Sequence, residues 1–382
     1  MMTGVGPVAE PFPFQQHASK LALSFDAASR APVNAPRHPS AYKYTSKTNG
    51  HRTALSDLSH PNNMEQEHQI QNKIEQILDK VHSLSDLSAD KVDELRRVSE
   101  NSIVINKFKV SPTEYHDWLN KIGNDNRGIE FDAQNACLIL KGRSGWMHEA
   151  ATGIIYIFFD KIRERLSAAG SRCFLTGSTD CSLEINFVGS IKQPDASLME
   201  FRAEWPVIVL EVEISETTRK LFKDAQRWLE GSDGNTKLVI LVDIQEKERR
   251  NTSNDKWDLS ENDFREIHHR TLSRRILQWY RLKGIRVVGD FHLSVHLCYN
   301  DGDNHCILDK AAFSPGRLID LTTIEDIPLR LGHLMPDGGH LDEDRRLLFP
   351  LKNLVDTLQH GFENTEIDRV NDLATDIKKK YF

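Results

Sequence analysis

The sequence predicts a mixed α/β fold in which a mixed sheet is flanked by helices. Three segments indicate it. Residues 146–169 repeat apolar side chains at helical spacing and end at Gly170, a common helix stop. Residues 207–214 and 237–244 are apolar runs of strand length, and residues 217–230 between them have a helical pattern. A strand, a helix and a strand in this order imply a parallel pair with a right-handed crossover.

The elements around this unit extend the fold on both sides. Residues 182–201 predict a hairpin with a Gly-Ser turn, and Pro206 begins a third strand at a position where a missing N–H is tolerated. The core order is therefore helix, three strands, helix and strand (αβββαβ). Beyond it, a helix reaching Leu282, strand alternation over 287–300 and a hairpin over 307–321 with Ser-Pro-Gly at its turn predict a C-terminal β/α extension.

Composition divides the chain into four segments. Residues 1–62 are rich in Pro, Ala, Ser, Asn and His and lack periodicity, which predicts a disordered tail. A helical N-terminal region follows over 63–135. The main domain then covers 136–345, and a charged C-terminal helix is predicted within 346–382.

The clearest helix of the N-terminal region lies within residues 64–87. Its apolar side chains form one stripe at 4-3-4-3 spacing, namely Ile70, Ile74, Ile77, Val81 and Leu84. The stripe either packs on the helix's own domain or joins two chains in a homodimer, although two heptads are short for a coiled coil. Further helices are predicted over 89–100 and 112–122, the second with Ser111 as its N-cap.

Composition and charge exclude several classes of protein. The net charge of −7 argues against a protein that coats nucleic acid without specificity, but it allows an enzyme with a local basic rim. No apolar run approaches the roughly 18–20 residues that cross a membrane, and the first residues lack a secretory signal pattern. Five scattered cysteines without a C-x-x-C motif indicate reduced thiols. We therefore expect an intracellular protein, nuclear or cytoplasmic, without a membrane partner.

Acidic residues stand out within two of the predicted strands. A Pro194-Asp195 pair opens one strand, and the next strand, VIVLEVEI, carries Glu211 and Glu213 in an apolar run. Residues two apart on a strand point to the same face. Isolated ionised carboxylates are strongly disfavoured in an apolar setting, so packing alone does not account for them. Three carboxylates on neighbouring strands predict a hard-oxygen site for Mg²⁺ or Mn²⁺.

Pro194-Asp195 followed by Glu211-x-Glu213 resembles the PD-(D/E)XK motif of the restriction-endonuclease-like nuclease superfamily. The likeness covers roughly residues 145–245 and includes the αβββαβ order. It implies a restriction-endonuclease-like core and Mg²⁺- or Mn²⁺-dependent hydrolysis of phosphodiester bonds in DNA or RNA. On that family's pattern Asp195 and Glu211 bind the metal ion, and Glu213 stands where the family usually has its lysine.

The resemblance also implies roles for neighbouring residues. Some members carry the lysine on the following helix, where this chain has Lys220 and Lys223. The catalytic residues that it implies are Asp195, Glu211, Glu213 and Lys223. The first helix of such nucleases often contributes an acid, so Glu149 is a third candidate metal ligand beside Asp195 and Glu211. The other interpretation of Glu149 is a carboxylate stabilised at a helix N-terminus by about 0.3–1 kcal/mol.

Basic residues near the motif predict a rim that contacts nucleic acid. The candidates are Lys192, Arg202, Arg219, Lys220, Lys223 and Arg227. A solvated surface is the alternative interpretation, since the chain has 49 Lys and Arg in total. A second basic cluster, Arg270, Arg274, Arg275, Arg281, Lys283 and Arg286, surrounds Trp279 and Tyr280. It is typical either of a phosphate-binding surface or of the outer face of an amphipathic helix.

Two functions follow from these patterns. The first is a metal-dependent nuclease in which Glu213 or a helical lysine orients the attacking water. The second is a catalytically inactive restriction-like module that binds nucleic acid or protein. A chain built mainly for assembly through residues 64–100 is a third interpretation.

Overall fold

The computed structural model describes most of the chain between residues 61 and 381. The described ranges are 61–99, 101–123, 127–214, 218–247, 252, 255, 257–317, 319–322, 324, 328–335 and 347–381. They all belong to one compact unit, Asp57–Phe382, which includes the predicted segments 63–135, 136–345 and 346–382. The predicted disordered tail, 1–62, lies outside the described residues except for its last two positions.

Eight α-helices and eleven β-strands form within the described residues. The helices are α1 (Pro61–Leu78), α2 (Ala89–Val98), α3 (Pro112–Ile122), α4 (Trp146–Ala168), α5 (Thr218–Gly231), α6 (Glu261–Glu266), α7 (His269–Leu282) and α8 (Leu351–Tyr381). The strands are β1 (Ile103–Ile105), β2 (Ile129–Asp132), β3 (Cys137–Leu140), β4 (Cys173–Thr176), β5 (Cys181–Ser182), β6 (Ile191–Lys192), β7 (Ala196–Glu200), β8 (Pro206–Ile214), β9 (Leu238–Lys247), β10 (Asp290–Tyr299) and β11 (Asn304–Phe313). None of these helices is long and apolar enough to span a membrane.

The strands form two sheets. The first sheet has the order β1-β3-β2-β6-β5, and its neighbours are antiparallel. The second has the order β11-β10-β9-β8-β7-β4, with β8 and β9 parallel and the other neighbours antiparallel. The mixed α/β class and the parallel pair around α5 are therefore confirmed. The restriction-endonuclease-like identity of the core stays a prediction.

Local sequence signals fix two helices of the N-terminal region. The Ser88 hydroxyl accepts a hydrogen bond from the Lys91 backbone N–H at the start of α2. At the start of α3 the Ser111 hydroxyl accepts from the Glu114 N–H, and the Glu114 carboxylate accepts from the Ser111 N–H at 2.8 Å. Pro112 occupies the first turn, where its missing N–H costs nothing. The predicted N-cap and the bounds 112–122 are confirmed.

The predicted hairpin over 182–201 takes a different form. Its first half becomes the short strands β5 and β6, separated by a 3₁₀ turn at Ile185–Phe187, and both strands pair within the first sheet. Its second half becomes β7, which pairs within the second sheet. The chain therefore passes from one sheet to the other between Lys192 and Ala196. Pro194 lies at this crossing, where its missing N–H cannot continue a ladder.

Helices cover both faces of the second sheet. On one face α4 and α8 bury their apolar sides, including Ile155, Phe159 and Leu358. On the other face α5 packs Trp228 against the sheet. The sequence pattern of α4 predicts one apolar side formed by Ala150, Ile154, Ile157, Phe158, Ile162 and Leu166. The buried face is rotated from this prediction, because Ile157 is 59% exposed. Apolar residues lie on several sides of this helix, so spacing alone does not select the buried one.

The stripe of α1 and the turn after it packs within the chain. Ile74, Leu78, Val81 and Leu84 are buried in the core of the N-terminal region, which also contains Trp118. This packing is the first of the two interpretations of the stripe. It accounts for the apolar pattern without a second chain.

Candidate active site

Asp195 and Glu211 come together on a lysine that the motif does not contain. The Nζ atom of Lys141 lies 3.3 Å from Asp195 Oδ1 and 3.0 Å from Glu211 Oε2. Lys141 follows β3 of the first sheet, whereas Asp195 precedes β7 and Glu211 lies in β8 of the second. The Lys141 ammonium also donates to the Gln193 carbonyl at 2.7 Å, which satisfies its third N–H. The site therefore forms where the two sheets meet.

The carboxylate of Asp195 is held ionised by its neighbours. Its Oδ2 atom accepts a hydrogen bond from the Val212 backbone N–H at 2.7 Å and lies 3.3 Å from His148 Nε2. Burial alone would raise the pKa of Asp195, but Lys141 and His148 hold it well below its usual range. Burial would likewise lower the pKa of His148, yet the Asp195 carboxylate raises it to about 10. Both partners are therefore charged at neutral pH.

Glu211 has a different electrostatic environment. It is buried in β8, and its Oε1 atom accepts a hydrogen bond from the Trp228 indole N–H at 2.5 Å. Burial raises the pKa of Glu211 to about 6, against the opposing effect of Lys141 and Lys192. The two motif acids thus differ in how readily they accept a proton.

Lys192 lies in the interior and not on the predicted basic rim. Its Nζ atom is 3.2 Å from Glu130 Oε2, 3.1 Å from Asp224 Oδ1 and 3.7 Å from Glu211 Oε1, and its side chain is 4% exposed. It also sits 5.8 Å from the centre of the Trp228 ring. Burial alone would lower the pKa of Lys192, but Asp224 and Glu130 raise it. These acids make an inward-facing lysine stable at this strand position.

A cavity of about 360 Å³ opens beside the Lys141–Asp195 pair. Its lining includes Glu213, His148 and Glu149. The Glu149 carboxylate lies 3.7 Å from His148 Nδ1, and this contact with His148 lowers the pKa of Glu149. Burial would lower the pKa of Lys141, but Asp195, Glu211 and further acids raise it well above its usual value. The cavity therefore has a permanent cation and several carboxylates at its inner end.

Of the remaining predicted residues, Arg202 is exposed between β7 and β8, and the other four lie on α5. Lys223 and Arg219 are exposed, and Lys223 forms no ion pair with any residue that the structure describes. Lys220 is half-buried and lowers the pKa of Asp224, although burial of Asp224 opposes this effect. The Arg227 guanidinium donates a hydrogen bond to Asp132. Lys141, which contacts both Asp195 and Glu211, follows β3 and does not belong to α5.

Three of the six residues in the second basic cluster pair with acids. Arg275 lies 3.6 Å from Asp263, and Arg281 lies 3.1 Å from Glu366. Arg286 lies 2.8 Å from Asp290. These contacts favour the solvated outer face of a helix over a phosphate-binding surface.

Two acids at Lys141 carry the kind of oxygen ligand that divalent cations prefer. Among the described residues, no three Asp, Glu, His or Cys side chains already form a group with metal-ligand spacing. Two carboxylate oxygens, Asp195 Oδ1 and Glu211 Oε2, nevertheless converge on one positive charge. Carboxylate oxygens are the ligands that Mg²⁺ and Mn²⁺ prefer. Asp195 and Glu211 could therefore hold such an ion near the Lys141 ammonium.

Sequence reasoning missed several residues of the site. Glu130 and Lys141 lie in the N-terminal strands, outside the span of the motif, and the burial of Asp224 beside Lys192 had no local signal. His148 directly precedes the predicted Glu149 in the sequence GWMHEA, so the same helix-start signal could have included it.

Comparisons with known proteins add no family to this description. No family model matches the sequence, and no curated protein matches it either. Function is therefore inferred from the contacts of Lys141, Asp195 and Glu211.

Proposed function

We propose that the protein is a divalent-metal-dependent nuclease that hydrolyses phosphodiester bonds of nucleic acid. One observation carries the proposal: Asp195 and Glu211 converge on the Lys141 ammonium, and Lys141 and Asp195 line an open cavity. Two acids and a lysine are the residue types of the PD-(D/E)XK motif that the sequence resembles. In this interpretation Lys141 replaces the motif lysine, whose usual place is taken by Glu213.

The residues have distinct roles in such a reaction. Asp195 and Glu211 would hold Mg²⁺ or Mn²⁺, which when bound polarises a phosphoryl oxygen and lowers the pKa of a water molecule. Because its pKa is raised, Lys141 stays protonated and would stabilise negative charge on the phosphate without acting as a base. Glu213 lines the cavity and would orient the attacking water. His148 positions Asp195 through its contact with Oδ2.

A second candidate is a catalytically inactive module that binds nucleic acid or protein. The observation that favours it is that basic side chains already surround Asp195 and Glu211. Lys141, Lys192 and His148 already neutralise much of the negative charge on Asp195 and Glu211. A purely structural ion cluster would show the same contacts. An intracellular location, nuclear or cytoplasmic, belongs to both candidates and rests on the scattered unpaired cysteines.

Cleavage assays test the proposal directly. The purified full-length chain is incubated with labelled DNA and RNA in Mg²⁺, Mn²⁺ or chelator. Asp195→Asn and Glu211→Gln should each lower the cleavage rate by at least about 100-fold, since each removes a charged ligand. Glu184→Gln, which changes an exposed acid outside the site, is the matched control and should cleave like the wild type.

The two candidates give different outcomes. Thermal unfolding of each variant shows that lost activity is not lost folding. Activity that persists in chelator, or in both Asp195→Asn and Glu211→Gln, would rule out this mechanism. Mn²⁺ that raises the melting temperature without any cleavage of DNA or RNA would favour the inactive module.

A further inference from the structure

Three arginines surround the mouth of the cavity. Arg96 comes from α2, Arg127 from the turn before β2, and Arg143 from the loop between β3 and α4. Arg127 is exposed and pairs with no acid among the residues described. Arg143 lies 3.6 Å from Asp372, but the two side chains are 60% and 70% exposed, so this ion pair is weak. Two guanidinium groups are therefore accessible to a ligand.

Arg96 fixes this rim relative to the catalytic lysine. Its guanidinium donates to the Lys141 carbonyl at 3.1 Å and to the Arg127 carbonyl at 2.6 Å. Gly128 has φ +76°, and a Cβ atom there would lie 2.9 Å from Arg96 Nη2. Glycine is thus required both for the backbone conformation and for the close approach of Arg96. The Arg96 guanidinium, which is half-buried, therefore links the backbones of Arg127 and Lys141.

The lining of the cavity suits a sugar-phosphate backbone better than a base. Besides the charged groups it contains small polar and glycine residues, namely Ser102, Ser144, Ser178, Gly142, Gly145 and Gly177. None of its described lining residues is Phe, Tyr or Trp, the side chains on which bases stack. Phosphate contacts position a nucleic acid without reading its sequence.

We infer that Arg127 and Arg143 bind the backbone phosphates next to the phosphate that is cleaved, and that base sequence does not affect this binding. The inference deepens the proposed nuclease function and rests on it for the identity of the ligand. It assigns substrate contact to the N-terminal sheet and its adjoining loops, outside the span that carries the motif. It also replaces the predicted rim on α5 with one formed by two arginines close to Lys141 in the sequence.

Binding measured without cleavage tests this assignment. Fluorescence anisotropy is recorded in chelator for the full-length chain with single-stranded 20-mers of dT, of dA and of mixed sequence. Arg127→Ala and Arg143→Ala should each weaken binding several-fold and the double variant at least 10-fold. Each change should reduce the slope of log affinity against log salt by about 0.7. Arg274→Ala, which removes an exposed arginine from α7, is the matched control and should bind like the wild type.

Each outcome separates this inference from the proposed function. Equal losses in Arg274→Ala, wild-type affinity in the double variant, no binding by the wild type, or affinities that differ more than 10-fold among the three sequences would each overturn it. Arginine-dependent binding without cleavage in Mg²⁺ or Mn²⁺ would support the rim and reject the nuclease. Cleavage by a double variant that binds normally would support the nuclease and reject the rim.

Discussion

Two lysines of this protein share the same acids but differ in their access to solvent. Lys141 and Lys192 both lie within 3.7 Å of Glu130 and of Glu211. Lys192 is 4% exposed and is covered by Trp228, whereas Lys141 is 17% exposed and lines the cavity. The Lys192 ammonium is therefore shielded from solvent, whereas the Lys141 ammonium is accessible from the cavity.

The difference indicates which lysine can exchange partners. A buried ion pair adds little net stability compared with apolar packing, but removing one partner leaves an uncompensated charge. Lys192 therefore maintains the junction between the two sheets. Lys141 has room to move into the cavity, which would leave Asp195 and Glu211 to hold a metal ion. The carboxylate of Glu211 contacts both lysines, so the buried ion pairs of Lys192 hold in place an acid that Lys141 also binds.

The largest expected effect is the loss of stability in Lys192→Met. Glu130 and Asp224 would stay buried without their cation, and breaking such a cluster costs about 3–5 kcal/mol. Lys141→Met should cost clearly less. Its partner Glu211 already has a pKa of about 6 and can take up a proton, while Asp195 keeps His148. Urea unfolding at pH 7 in chelator measures both free energies.

Equal losses of unfolding free energy in Lys192→Met and Lys141→Met would contradict this prediction, because they would show that solvent access to the lysine makes no difference to stability. Circular dichroism before unfolding confirms that each variant begins from the same fold. A Lys192→Met protein that does not fold at all is the extreme form of the expected result. In that case Lys141→Met should still fold, and its free energy of unfolding can still be compared with that of the wild type.

The next effect concerns the acid that the two lysines share. Trp228→Phe removes the indole N–H that donates to Glu211 Oε1 at 2.5 Å and should cost about 1–3 kcal/mol. Trp205→Phe is the matched control, because the Trp205 N–H donates to the Ser182 carbonyl at an exposed position. Its cost should be smaller, as water can replace the lost bond. Chemical unfolding measures the free energy of unfolding of both variants. An equal loss in Trp228→Phe and Trp205→Phe would contradict the prediction.

Local signals predicted much of the fold. The capping box at Ser111 and the β8–α5–β9 unit depend on residues close in sequence, and both appear as expected. The strands over 182–201 could not be assigned locally, because β5 and β6 pair within one sheet and β7 within the other. Strand pairing over long separations depends on the whole fold and not on the periodicity of one segment.

The site was predictable only in part for the same reason. The motif identified Asp195, which directly precedes β7, and Glu211 in the neighbouring strand β8. Lys141 is 54 and 70 positions away from them and approaches through the packing of a second sheet. Lys192 was predicted at the surface because its acidic partners, Glu130 and Asp224, are distant in sequence. Charges that are compensated by tertiary contacts leave no local pattern.

A smaller effect follows from the charge of His148. With a pKa raised to about 10, His148 keeps its proton in the folded state at pH values where the unfolded chain has lost it. The folded state then binds more protons, so stability should fall by about 1 kcal/mol between pH 7 and pH 8. The groups that face this histidine are Asp195, Glu149 and Lys141. Against the effect of burial, Asp195, followed by Glu149, raises the pKa of His148, whereas Lys141 lowers it.

Unfolding of the wild type and of His148→Gln in chelator at the two pH values tests this effect. The variant lacks the titrating group, so the difference between its two free energies gives the contribution of all other groups. The wild type should lose about 1 kcal/mol more than the variant. Parallel pH profiles would show that the contact with Asp195 does not hold the proton.

The smallest expected effect belongs to Lys223, the lysine that the resemblance implies as catalytic. It is exposed on α5, so Lys223→Met should change stability by less than about 0.5 kcal/mol and leave cleavage near the wild-type rate. Lys141→Met should lose cleavage, because it removes the ammonium that contacts both motif acids. The same assay with both variants separates the two lysines. Loss of cleavage in Lys223→Met alone would return the catalytic role to α5 and leave Lys141 as a structural cation like Lys192.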